Sequence, residues 1–131
     1  PYDFSFSGIK SAVLNYINKA KMTGEEICVP DLAASFQNAV VEALVSRAVL
    51  AAKNYGYDRL AIAGGVASNS ALRTAMQKAC DKAGIHFYHP SPIFCTDNAA
   101  MIGAAAYYEY LAGNTADMSL NAYATKKLHM L

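Results

Sequence analysis

The chain has 131 residues, 54% of them hydrophobic and 16% charged, with a formal net charge of +1. That length holds one domain's worth of core, and so apolar a composition excludes an intrinsically disordered segment. The near-neutral charge removes the electrostatic case for general nucleic-acid binding, though not for a local patch, and no apolar run reaches the length of a membrane span.

Cys28, Cys80 and Cys95 are odd in number and lack a CxxC spacing, which points to reduced thiols and a cytoplasmic setting. Residue 1 is a proline, with no initiator methionine and no leader, so the chain reads as a processed or excised piece.

In chain order, Tyr2 to Gly8 alternates aromatic and small polar residues, the pattern of a half-exposed strand. Ile9 to Ala20 places Ile9, Ala12, Val13, Tyr16, Ile17 and Ala20 at helical spacing. Lys10-Ser11 after Gly8 is not a phosphate-binding P-loop, because that motif needs a glycine five residues earlier. A polar connector from Lys21 to Val29 leads to Pro30-Asp31, a helix start with its acid at the positive end of the dipole. The helix that follows, from about Leu32 to Tyr55, is apolar nearly all round, which predicts burial on more than one side. Gln37, Asn38, Glu42 and Arg47 are its few polar positions and read as a solvated edge, and Gly56 is placed to end it.

Leu60 to Ala63, preceded by Arg59, suits a short strand buried on both faces. It ends in Gly64-Gly65, followed by Ser68 or Asn69 as the cap of a helix from Ser70 to Ala83. Paired glycines at the carboxyl end of a strand permit positive φ or the close approach of a ligand, and ligands of open α/β sheets sit at that edge. The same residues also suit an ordinary tight strand-to-helix connection, and the pattern alone does not separate the two. Ile85 to Tyr88 reads as another strand. His86 and His89 are three apart on extended chain, so they do not chelate one metal together. Pro90 and Pro92 forbid regular structure until Phe94. Thr96 or Asp97 then caps a helix to about Leu111, whose small residues around Gly103 predict a closely packed neighbouring backbone. Taken alone, Asp97 is better explained as a cap than as a carboxylate reaching a metal or polar substrate. Strands alternating with helices give an α/β fold with a small, mainly parallel sheet flanked by helices, and residues 114–131 form an irregular tail.

Four blocks carry a family resemblance: Phe4 to Lys10, Ala33 to Gln37, Gly64 to Asn69 and Cys95 to Gly103. In this order and spacing they resemble the TsaD family (older names Gcp and YgjD, long labelled O-sialoglycoprotein endopeptidase) over roughly residues 3–106. The resemblance implies an actin-like fold of the sugar-kinase and heat-shock-ATPase superfamily, with nucleotide between two lobes. It implies transfer of a threonylcarbamoyl group from threonylcarbamoyl-AMP to N6 of adenosine 37 in tRNAs reading ANN codons. A nucleotide (ATP or the adenylate), one iron or zinc ion, and TsaB- and TsaE-type partners accompany that activity. On this resemblance Gly64, Gly65 and Asn69 hold the nucleotide portion, and Asp97 is a metal ligand, which reverses the capping reading.

The family's other metal ligands are the histidines of an HxxxH motif, which is absent here; the only histidines are His86, His89 and His129. The chain therefore resembles the C-terminal lobe alone, a single domain over residues 1–131 whose N-terminal lobe is missing. Such a piece is expected to be inactive by itself, to retain no metal and to self-associate. Two alternatives belong to other classes. A metallopeptidase is disfavoured by the lack of HExxH, and a non-catalytic partner-binding module is motivated by the broadly apolar helices.

Overall fold

The computed structural model describes residues 2–122. They form two compact units, one ending at Thr96 and the other beginning at Asp97. In the first unit, helices α1 (Phe6–Thr23) and α2 (Val29–Tyr55) precede strand β1 (Arg59–Ala61), a 3₁₀ turn (Gly65–Ser68), helix α3 (Ser70–Ala83), strand β2 (His86–Tyr88) and a second 3₁₀ turn (Pro92–Phe94). Helix α4 (Ala99–Leu111) lies in the second unit.

The expected opening strand is not formed. Ser5 instead caps α1, its Oγ accepting the Gly8 N–H at 3.4 Å. The alternation of Phe4, Ser5, Phe6 and Ser7 mimics a strand, but a strand needs a ladder partner, and the sheet of the described residues contains only β1 and β2. Helix α2 matches expectation closely, with Pro30 and Asp31 in its first turn and Gly56 at φ +71° closing it.

β1 and β2 pair in parallel, with Arg59 opposite His86, Leu60 opposite Phe87 and Ala61 opposite Tyr88. They are joined through α3, a βαβ unit. β1 is not buried on both faces as its apolar run suggested. Leu60 and Phe87 are half-buried against the helices, while Arg59, Ala61, His86 and Tyr88 are exposed. Two strands offer a single inner face, and the residues next to Leu60 and Phe87 necessarily point the other way.

The core is small. Leu72, Met76 and Cys80, four residues apart on α3, form one buried stripe with Ala52 of α2 and Ile85. Val41, Leu44, Val45, Ala48 and Val49 of α2 pack against it. Burial, reinforced by the charge of Asp81, pushes the Cys80 thiol above its usual range. All three cysteines are free, Cys28 exposed and the others buried.

Two expectations of dense packing fail. Helix α2 contacts α1, α3 and β1, yet only its Ala52 is buried, and Phe36 and Leu50 stay exposed. In α4 no residue is buried, and a Cβ added to Gly103 would meet nothing within 4 Å among the described residues. Residues 114–122 are irregular, with Asp117 accepting hydrogen bonds from Ser119 that lower its carboxyl pKa. The rest of the expected irregular tail, and with it His129, lies outside the described residues. No helix among them is long and apolar enough to cross a membrane.

Candidate functional site

The loop from Ile62 to Asn69 leaves the carboxyl end of β1, where parallel sheets present ligand sites. Its two glycines do different things. Gly64 lies at φ +86° and ψ 171°, a region essentially restricted to glycine. Gly65 needs no such freedom, and a Cβ built on it would meet only Thr96 Cγ2 at 3.9 Å, an ordinary contact. Gly64 therefore sets the path of the backbone, whereas Gly65 leaves an uncovered stretch of main chain.

Asn69, not Ser68, caps α3. Its Oδ1 accepts the Leu72 N–H at 2.9 Å and its Nδ2 donates to Gln37 Oε1 at 3.2 Å. Ser68 turns back to the Gly65 carbonyl at 2.6 Å. Asn69 is thus held from both ends of its amide, with its orientation set by α2 as well as by its own helix. Gln37 is exposed, as its reading as a solvated edge implied, yet it also serves as this partner of Asn69. Arg47 is likewise more than an edge residue, because its Nε donates to the Asp3 carbonyl at 2.9 Å.

Asn69 and Gln37 line a cavity of about 610 Å³ together with Phe6, Lys10, Phe36 and Val66. Its walls are mostly apolar with a few polar groups, and its volume lies in the range of small-molecule sites.

The cap carries a testable consequence. Asn69→Ala removes both hydrogen bonds and is expected to destabilise the chain by about 1 kcal/mol, whereas Asn69→Ser keeps a cap and loses only the tie to Gln37. Urea unfolding separates the two, and equal losses for both variants would show that the cap is not the source.

In the second unit, the cap of α4 is Asn98, whose Oδ1 accepts the Met101 N–H at 3.0 Å. The expectation that Thr96 or Asp97 caps this helix is therefore wrong, since the helix starts one residue later than the pattern implied and Asn98 is the residue three before Met101. Asp97 is an exposed carboxylate with no capping role. A hard carboxylate of that kind suits one position around a divalent ion. Among the described residues, however, no three histidine, cysteine, aspartate or glutamate side chains converge on one point. The donors present therefore do not fit a bound metal. His86 and His89 are both exposed, and His89 Nδ1 lies 3.1 Å from the Pro90 carbonyl.

A second connector was missed by sequence reasoning. Arg73, at the end of the first turn of α3, donates through Nε to the Ala67 carbonyl and through Nη2 to the Pro90 carbonyl at 2.9 Å and Cys95 Sγ at 3.0 Å. Helical periodicity carries no sign of such contacts, since their acceptors are mostly main-chain carbonyls.

Comparison with known proteins gives a consistent result. The family model described as TsaD, tRNA N6-adenosine threonylcarbamoyltransferase, matches residues 1–104. A Clostridium perfringens tRNA N6-adenosine threonylcarbamoyltransferase is 61% identical over 120 residues, covering 92% of this chain and 35% of the relative. A Staphylococcus epidermidis protein of the same name is 57% identical over 120 residues, with the same coverage of 92% and 35%. One from Clostridioides difficile is 54% identical over 128 residues, 98% of this chain and 38% of the relative. The chain thus spans little more than a third of the length of the curated relatives it matches.

Proposed function

The chain belongs to the TsaD family, tRNA N6-adenosine threonylcarbamoyltransferase, and on that premise we propose that it forms the C-terminal lobe of such a transferase. In this reading the lobe has the actin-like fold and supplies one wall of the nucleotide cleft. The intact protein transfers a threonylcarbamoyl group from threonylcarbamoyl-AMP to N6 of adenosine 37 in tRNAs reading ANN codons, with TsaB- and TsaE-type proteins as partners. The observation that carries the proposal is the Gly64–Asn69 loop at the carboxyl end of β1, with its glycine-only backbone at Gly64 and its doubly held amide at Asn69. Gly65 leaves the main chain uncovered for the nucleotide portion, and Asn69 presents a pre-oriented polar group beside it.

Asp97 is proposed as one ligand of the iron or zinc ion. One carboxylate does not complete a site, so in this reading the remaining ligands belong to the rest of the intact protein, and the isolated chain is expected to retain no metal.

The proposal is tested with two proteins. One is the isolated chain; the other is a chimera in which this chain replaces the matching segment of the Clostridium perfringens relative. The chimera is expected to modify tRNA with threonylcarbamoyl-AMP as donor. The isolated chain is expected to show no turnover and to sediment above the monomer, covering the exposed Tyr107, Tyr108, Tyr110 and Leu111. An inactive but folded chimera would overturn the transferase reading, and turnover by the isolated chain would overturn its role as a partial site.

A further inference from the structure

Two loops leave the carboxyl ends of the parallel pair: residues 62–69 after β1 and residues 89–96 after β2. Each is a 3₁₀ turn held by a few backbone hydrogen bonds. Ala67 and Asn69 donate to Gly64 and Val66 in the first, and Phe94 and Cys95 donate to Ser91 and Pro92 in the second. Beyond the Ile62 N–H, which donates to the Tyr88 carbonyl, neither loop has a ladder to fix it, so local opening of the turns costs little unless something spans the two.

Arg73 spans them. Its guanidinium binds the Ala67 carbonyl of one loop and the Pro90 carbonyl and Cys95 sulfur of the other. Cys95 is buried, so the contact is partly screened from water, and its Sγ also lies 3.6 Å from the Ser91 carbonyl. Only a planar fork with several donors reaches three acceptors on two segments at once; an ammonium at the same place is a single point. Arg73 follows Leu72 by one residue and so lies off the buried stripe of Leu72, Met76 and Cys80. Its replacement leaves the core packing in place.

We propose that Arg73 is a positioning residue that fixes the Gly64–Asn69 loop against the Pro90–Cys95 loop and so sets the geometry with which the first loop meets the adenylate. This rests on the transferase reading for its ligand, though not for its structural half. Arg73 itself does not touch the nucleotide; it acts through the main chain it holds.

The test uses Arg73→Lys and Arg73→Ala, with Cys95→Ser as a variant that preserves an acceptor. In the chain itself, hydrogen exchange at the amides of Ala67, Asn69, Phe94 and Cys95 is expected to accelerate together by about tenfold in both arginine variants, while Met76 and Cys80 stay within about threefold of the parent. In the chimera, both arginine variants are expected to raise KM for threonylcarbamoyl-AMP by about tenfold with kcat little changed, and Cys95→Ser to stay near the parent. Unchanged exchange at the four loop amides, or equal acceleration at Met76 and Cys80, overturns the proposal. An unchanged KM in an active chimera overturns it as well. A parent chimera without transfer activity tells against the transferase reading instead, and the exchange measurement still decides whether Arg73 ties the loops.

Discussion

Gly64→Ala is expected to reduce transfer by the chimera by about a hundredfold, the loss associated with an ångström-scale misplacement of a site. The reason is conformational, because a Cβ at this position meets nothing within 4 Å. At φ +86° and ψ 171°, an alanine either accepts strain of about 1–3 kcal/mol or pulls the loop into another basin. The second result displaces Gly65 and the turn through Ser68, and with them the approach to Asn69, whereas the first shows as lost stability. Gly65→Ala is the matched control for folding. Its φ is not positive and its new methyl makes only the ordinary contact with Thr96, so stability should stay within about 0.5 kcal/mol of the parent. If Gly65 admits the nucleotide, that variant melts like the parent yet binds the adenylate less tightly. Thermal melting of the chain together with turnover of the chimera reads both substitutions. A Gly64→Ala protein with parental melting and parental turnover would refute the role given to this loop.

Met76→Ala is expected to destabilise the first unit by about 2–5 kcal/mol. Met76 is only 2% exposed and sits mid-stripe between Leu72 and Cys80, against α2. Few residues are buried at all, so the cavity removes contacts that no second core replaces. Against a total stability of about 5–15 kcal/mol for an ordinary domain, and less for so thin a core, a large fraction of the molecules unfolds. Urea unfolding followed by circular dichroism measures the change. Met76→Leu, nearly volume-conserving, should cost less than about 1.5 kcal/mol, and equal losses for the two would show that side-chain volume at this position is not what matters.

Helices were the most legible part of the sequence. The bounds of α3 were read without error, because its cap, its stripe at i, i+4 and i+8 and its closing Gly84 all agree. The opening strand was misread because the period-2 pattern of Phe4 to Ser7 is local, while the absence of a ladder partner for it is not. The cap of α4 was placed at Thr96 or Asp97 instead of Asn98 because these are three consecutive residues of capping type, and only the fold selects which one begins the helix. The resemblance over four blocks pointed to the right family, and the blocks at Gln37 and Asn69 turn out to be joined by a hydrogen bond.

What the sequence determined by itself was the set of helices, the glycine-rich connection after β1 and the family, since each rests on residue types at short, fixed spacings. Tertiary structure alone decided that Gly64 and not Gly65 requires glycine and that Asn69 is held by Gln37, 32 residues away. It also decided that Arg73 bridges two loops through acceptors at Ala67, Pro90 and Cys95. Those are backbone torsions and long-range bonds to main-chain carbonyls, amides and a thiol. No periodicity encodes them, because they exist only once the strands lie side by side.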